Sequence, residues 1–250
     1  MQNPESTQFG TRNVTPDEKT SLVRGVFDSV ADKYDLMNDV MSGGVHRLWK
    51  NHFIRRIRPR AGLDYLDVAG GTGDIAFRIK KYLGDKPARI TLCDLNQHML
   101  AVGRDRAINK GWLNDFEWVT GNAESLPLPD NSQDVYTIAF GLRNVTRIDT
   151  ALAEAFRVLR PGGRFFCLEF SHVEEPLIAK LYDIYSFSLI PKMGEKIAQD
   201  RESYQYLVES IRKFPRREEL CARLEAAGFK RARAEPLTFG VATIHSALKA

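Results

Sequence analysis

The chain contains no unbroken apolar run long enough to cross a bilayer, about 18 residues or more, so a membrane-spanning helix is not expected. Its first residues, Met1-Gln-Asn-Pro-Glu-Ser6, have neither a basic start nor an apolar core, so no secretory signal is expected either. Cysteine is scarce. Cys93, Cys167 and Cys221 lie far apart and form no Cys-x-x-Cys pair, which excludes a disulfide framework and points to buried free thiols in a reducing, cytoplasmic setting. Acidic residues are missing from a whole stretch. From Val40 to Leu63 there is no Asp or Glu, while Arg47, Lys50, Arg55, Arg56, Arg58 and Arg60 all fall there. A second basic cluster is Arg212, Lys213, Arg216 and Arg217. These are either two solvated helix faces or surfaces drawn to an anionic membrane or substrate. The net charge of +4 is too small to argue for nucleic acid. His46, His52, His98, His172 and His245 show no metal-binding spacing, so no metal is expected; His172, after a strand-like run, is the one considered for substrate contact.

At 250 residues the chain suits a single core. Residues 1–20 are polar and read as a flexible tail, and 21–250 as one domain. Ser21–Ile57 has helical periodicity, with Val23, Val26, Phe27, Val30 and Tyr34 on one face, and reads as a helical cap (21–60) outside the core. Strand and helix patterns then alternate: strands at Asp64–Ala69, Arg89–Asp94, Phe116–Thr120, Asp134–Phe140 and Arg164–Phe170, with helices between. Asn96 is a candidate N-cap, and Arg160-Pro161-Gly162-Gly163 a helix stop. The stretch 171–216 breaks the alternation and reads as a helical insertion on the substrate side, with Leu181–Ile190 either shaping an apolar tunnel or packing internally. Arg231–Leu237 and Val241–Leu248 close the chain as an antiparallel hairpin. The expected fold class is α/β: a seven-stranded, mostly parallel, Rossmann-like sheet.

Within this pattern the segment Leu66-Asp-Val-Ala-Gly-Gly-Thr-Gly-Asp-Ile75 carries the most chemistry. A strand that breaks into glycines lets a ligand approach the backbone, and the helix that follows offers its free N–H groups. Asp94 ends the next strand, where an acid accepts ribose hydroxyls. The pair reads as a nucleoside-cofactor site. Asp74 enters the helix where a dinucleotide would put its pyrophosphate. A carboxylate there disfavours NAD or FAD and favours S-adenosylmethionine, whose far end is cationic.

The run Asp67–Asp74 resembles motif I of the class I S-adenosylmethionine-dependent methyltransferases; Asp94 matches their ribose acid, Gly121-Asn-Ala-Glu124 their adenine loop and Leu159–Gly163 their post-motif turn. More narrowly, Tyr34–Ser42, Phe140-Gly-Leu-Arg-Asn-Val-Thr146 and Glu169-Phe-Ser171 resemble signature segments of the ubiquinone/menaquinone biosynthesis C-methyltransferases, from about residue 20 to the C-terminus. The resemblance implies S-adenosylmethionine as cofactor, bound by Gly70, Thr72, Gly73, Asp94, Asn122 and Ala123. It implies a polyprenyl quinol substrate, 2-methoxy-6-polyprenyl-1,4-benzoquinol, demethylmenaquinol or both, methylated on a ring carbon. One departure is Ala139, where relatives often carry a serine.

A ring carbon becomes nucleophilic when a neighbouring hydroxyl loses its proton, so the site must favour phenolate and exclude water. Arg143 is the leading catalytic candidate, as a stabiliser of phenolate or an orienter of water; the rival is a structural salt bridge. Asn144 either holds that water or caps a turn. Asp39 is either the proton acceptor or a local pairing group, with Tyr34 beside it. Rival functions are an O- or N-methyltransferase and a non-catalytic cofactor-binding scaffold in a quinone-synthesis complex. Expected partners are the quinol, the inner-membrane surface by peripheral contact, and a biosynthetic complex or a second copy of the chain, but not nucleic acid.

Overall fold

The computed structural model describes residues 7–9, 12–30, 38–39, 42–112, 114–173, 175 and 201–250. Seven strands form one sheet in the order β5-β4-β3-β6-β7-β9-β8. They are β3 (Asp64–Val68), β4 (Arg89–Asp94), β5 (Glu117–Thr120), β6 (Gln133–Ala139), β7 (Leu159–Phe170), β8 (Lys230–Leu237) and β9 (Ala242–Leu248). Neighbours are parallel from β5 to β7, and β9 runs antiparallel to both β7 and β8. The expected α/β sheet and its closing hairpin are therefore what the chain forms.

Side chains alternate across this sheet and feed two cores. Tyr65, Phe166 and Leu168 face α2 (His46–Ile57), α3 (Asp74–Leu83) and α4 (Gln97–Ile108); Leu66, Phe165 and Cys167 face α5 (Ile148–Val158) and α7 (Arg217–Ala226). Asn96 caps α4 as expected, its Oδ1 accepting from Met99 N at 3.0 Å.

The N-terminal region differs from the expectation in two ways. Thr7–Phe9 and Arg12–Val14, read as tail, pair as the antiparallel strands β1 and β2. α1 (Pro16–Val30) begins before Ser21 because Thr15 and Glu18 form a reciprocal capping box, with Glu18 N donating to Thr15 Oγ1 and Thr15 N to Glu18 Oε2. Second, the part of the cap that forms α2 is core. Phe53 and Ile57 are fully buried, and Phe53 packs edge-on against Phe166 of β7 at 6.4 Å. A period of 3.6 marks an apolar face but not what that face meets.

After β6, α5 stops at Val158 and β7 begins at once. Pro161-Gly162-Gly163, expected as a turn, is a bulge inside β7, where pairing jumps from Gln133↔Leu159 to Val135↔Arg164. Of the insertion, 176–200 lies outside the described residues, and with it Leu181–Ile190; so does Tyr34. The described part forms α6 (Arg201–Lys213), with Tyr204, Tyr206, Leu207 and Ile211 buried.

Candidate active site

The sheet grows outward in both directions from β3 and β6, so the loops leaving their carboxyl ends part company. Such a switch point is where open α/β sheets bind ligands. Both strands end under backbone strain: Ala69 (φ 51°) and Phe140 (φ 57°) sit in the left-handed region, which non-glycine residues seldom adopt. The two exits also touch, because a Cβ on Gly141 would collide with the Cβ of Ala69. Glycine at 141 is thus required by packing rather than by a ligand. Gly73, expected to bind cofactor, has the same kind of role. With φ at 85° it starts α3, and a Cβ there would lie 2.9 Å from the Phe77 ring. Gly71, by contrast, lines the cavity, as do Gly121 and Gly141.

That cavity measures about 800 Å³ with its open mouth included. Gly71, Asp94, Asn122, Ala123 and Met99 form one wall, and Val23 and Phe27 of α1 form another. Asp94 is held rigidly: its Oδ2 accepts Gly71 N and its Oδ1 accepts Asn96 N, both at 2.8 Å. Burial raises its pKa to about 6 against those hydrogen bonds. A desolvated carboxylate with lone pairs to spare suits a ribose diol. Asn122 turns its Oδ1 back to Glu124 N at 3.0 Å, shaping the loop that presents Ala123.

A smaller recess, about 320 Å³, adjoins the main cavity at Ala69 and Phe140 and contains Asp67, Gly70, Thr72 and Ala139. Asp67 is buried. Its Oδ1 accepts from the Thr137 hydroxyl at 2.7 Å, while Oδ2 has no hydrogen-bond partner among the described residues. Burial lifts its pKa to about 7. A buried carboxylate oxygen left unpaired is costly, and it fits the ammonium end of S-adenosylmethionine. Thr72 faces this recess with its hydroxyl already accepting from Arg106 at 2.8 Å. Ala139 lies here too, so the hydroxyl of the usual serine is missing from the recess wall.

Asp74 must be reinterpreted. Its carboxylate is not free to repel a phosphate: Lys50 from α2 holds Oδ2 at 2.6 Å and Arg78 holds Oδ1 at 2.8 Å. Despite burial, those cations bring its pKa to about 2. The uncompensated negative charge at the cofactor site comes instead from Asp67 and Asp94.

The catalytic candidates do not converge. Arg143 and Asn144 sit in a short 3₁₀ turn after β6. Asn144 faces the cofactor cavity; Arg143 lines a second cavity, about 730 Å³, with Lys19, Tyr206 and Lys213. The shared wall is Val145 and Thr146. Arg143 NH1 donates to Glu169 Oε1 and to Phe140 O, each at 2.6 Å, with both charged side chains buried. This joins two signature segments distant in sequence, and it is the salt bridge considered as the rival role. Its Nε–H has no acceptor among the described residues. Tyr206 OH donates to Asn144 Oδ1 at 3.1 Å.

Asp39 is placed elsewhere. Arg47 holds both its oxygens, at 3.0 and 2.7 Å, and His46 Nε2 lies 2.9 Å away. The Arg47 hydrogen bonds bring its pKa to about 2, which makes it a poor proton acceptor. It takes the local pairing role. His172 Nε2 lies 2.8 Å from Phe214 O, a structural contact.

Sequence reasoning missed Val23 and Phe27 as cavity wall and Glu169 as Arg143's partner. Signals were present in the apolar face of α1 and in an acid within an otherwise apolar strand.

Among solved structures, the chain resembles an S-adenosylmethionine-dependent methyltransferase, possible histamine N-methyltransferase, from Thermotoga maritima. The TM-score is 0.64 at 19% identity, over 91% of this chain and 100% of that one, which establishes the shared fold. The sequence matches the ubiE/COQ5 methyltransferase family across residues 12–249. The chain belongs to that family. It is 52% identical to the mitochondrial 2-methoxy-6-polyprenyl-1,4-benzoquinol methylase of Arabidopsis thaliana, over 98% of this chain and 90% of the relative. It is 54% identical to the ubiquinone/menaquinone biosynthesis C-methyltransferase UbiE of Brucella canis, over 96% and 90%. As a ubiE/COQ5 methyltransferase it is an S-adenosylmethionine-dependent C-methyltransferase. The glycine turn, Asp94 and the unpaired Asp67 oxygen are the features of its fold that suit that cofactor.

Proposed function

We propose that this enzyme methylates a ring carbon of a polyprenyl hydroquinol, a 2-methoxy-6-polyprenyl-1,4-benzoquinol or a demethylmenaquinol, in ubiquinone or menaquinone synthesis. The observation that carries the reading is the turn Gly141–Thr146, which stands between the cofactor cavity and the second cavity with Asn144 on one side and Arg143 on the other. S-adenosylmethionine, when bound, supplies the electrophilic methyl group. The remaining work falls to side chains. The guanidinium of Arg143, in the wall of the second cavity, stabilises the quinol oxygen as phenolate. Glu169 fixes that guanidinium and neutralises the rest of its charge, so the cation is rigid before substrate arrives. Asn144, positioned by Tyr206, holds a water that accepts the hydroxyl proton. With cofactor and quinol in place, the ring carbon would take the methyl group in exchange for its own proton, which leaves to water, and the phenolate oxygen beside Arg143 would then regain the proton held by the Asn144 water. Apolar Phe27, Val23 and Phe140 keep bulk solvent out.

The same reading sets the enzyme in the cytoplasm, in peripheral contact with an anionic membrane that holds its substrate. Supporting it, Leu48 and Phe239 are exposed (65% and 73%) on neighbouring elements joined by the Trp49 Nε1–Thr238 Oγ1 hydrogen bond, at the carboxyl edge of the sheet.

The test is incubation with labelled S-adenosylmethionine and, in parallel, short-tailed demethylmenaquinol and methoxy-polyprenyl benzoquinol. The expected product gains one methyl on ring carbon, located by fragmentation. Methylation on oxygen, or no product from either quinol, overturns the reading.

A further inference from the structure

The turn that divides the two cavities is tied back to the adenine loop by one carboxylate. Glu124 follows the Asn122-Ala123 pair and lines the cofactor cavity. Its Oε1 accepts the N–H groups of both Thr146 and Arg147 at 3.0 Å, and its Oε2 accepts Arg147 Nε at 2.7 Å. The side chain is only 6% exposed. These donors lie at the start of α5, whose own N-cap residue, Arg147, makes no side-chain cap. A helix start without a cap leaves N–H groups unsatisfied and favours negative charge. Here the charge arrives from a loop more than twenty residues earlier. α1 grips the same turn, with Lys19 Nζ donating to Val145 O at 3.2 Å and the Thr20 and Thr146 hydroxyls 3.4 Å apart. The adenine loop and α1, two sides of the cofactor cavity, therefore both bear on the backbone that carries Asn144 and Arg143.

We propose that Glu124 is a positioning residue that couples the two sites: order imposed on the adenine loop by cofactor passes through its carboxylate to the 142–147 backbone and prepares the quinol side. The inference rests on the reading that Arg143 and Asn144 serve the quinol. A simple helix cap would stabilise the protein without linking two ligands, whereas coupling must be reciprocal, each ligand tightening the other by the same factor.

The experiment measures binding of a short-tailed demethylated quinol to the full chain, with and without saturating S-adenosylhomocysteine, and then the reverse titration. In the native protein the cofactor product is expected to tighten quinol binding at least about fivefold, equally in both directions. In Glu124→Ala the ratio is expected to fall close to one. Glu124→Gln, whose amide oxygen still accepts both backbone N–H groups, is expected to retain most of the ratio. Should the alanine variant fail to fold, Glu124→Asp keeps the charge but shortens the reach, and its ratio is expected to drop by half or more. A native-like ratio in Glu124→Ala or Glu124→Asp, or no coupling in the native protein, overturns the proposal and leaves the Arg143 reading standing. A quinol that binds neither form overturns the substrate reading and this inference with it.

Discussion

The two halves of the site are built on different principles. On the cofactor side, backbone N–H groups donate to fixed side-chain oxygens: Gly71 N and Asn96 N to Asp94, and Glu124 N to Asn122. On the side proposed for the quinol, side chains from separate elements bind one another or a turn carbonyl: Arg143 to Glu169, Asn144 to Tyr206, and Lys19 to Val145 O. A ligand shared by a whole fold class can be held by a local motif. A substrate specific to one family is served by tertiary pairings that only the finished fold assembles.

The sharpest way to break this contrast is at the Arg143–Glu169 pair. Removing either partner strands a buried charge, at a cost of about 3–5 kcal/mol. Arg143→Ala and Glu169→Ala are each expected to lower the thermal midpoint strongly and abolish turnover. The double replacement Arg143→Met/Glu169→Leu is expected to recover most of the stability and none of the activity. Thermal unfolding beside a turnover assay decides it, and an active double variant would assign the pair to folding alone.

On the cofactor side the expected loss is binding rather than stability. Asp94→Ala removes a charged acceptor worth about 1.5–3 kcal/mol, so calorimetric titration should show affinity for S-adenosylmethionine weakened roughly ten- to hundredfold with little change in unfolding. Unaltered affinity would overturn the assignment of Asp94.

Where the halves touch, Gly141→Ala forces a methyl into Ala69, and overpacking of this kind costs about 1–3 kcal/mol. Both cofactor affinity and turnover should fall together, since both loops shift; loss of only one would show that the contact is not shared.

Acidity offers a milder probe. Burial raises Asp94 to about 6 and Asp67 to about 7, so each loses its charge as pH falls through those values. Cofactor affinity should therefore weaken from pH 7 to pH 5. The free protein should respond in the opposite sense. Both groups hold protons more tightly folded than unfolded, so their contribution to stability is lost as pH rises from about 4 toward 7. A flat binding profile would remove these carboxylates from cofactor recognition. The smallest effect is expected from Asp39→Asn, a partly exposed pairing whose loss should change turnover less than about twofold and stability within about 1 kcal/mol. A large fall in turnover would return Asp39 to the chemistry.

The seven strands, the closing hairpin and the place of Asp94 at a strand end were legible in sequence because alternation of apolar residues, glycine punctuation and acid placement are local signals, whereas the order of the strands was not. The Thr15–Glu18 capping box was equally local and went unread. What was not legible required distance. Lys50 neutralises Asp74 from 24 residues away, which reverses the electrostatic meaning of a carboxylate that looked free. Glu169 was noticed as part of a signature, but nothing local to it could show that it faces Arg143. Periodicity made α2 amphipathic without saying that its apolar side closes the main core.

The bulge at Gly162-Gly163 has a practical consequence at the far end of the chain. Gly162 N donates to Lys249 O and Lys249 N to Gly163 O, while the Lys249 ammonium reaches Asn131 and Phe156 O. The penultimate residue is thereby anchored beside the amino end of β7, on the opposite edge of the sheet from Asp94 and Arg143. A linker attached after Ala250 would hold the enzyme to a sensor chip or bead with both cavities turned outward.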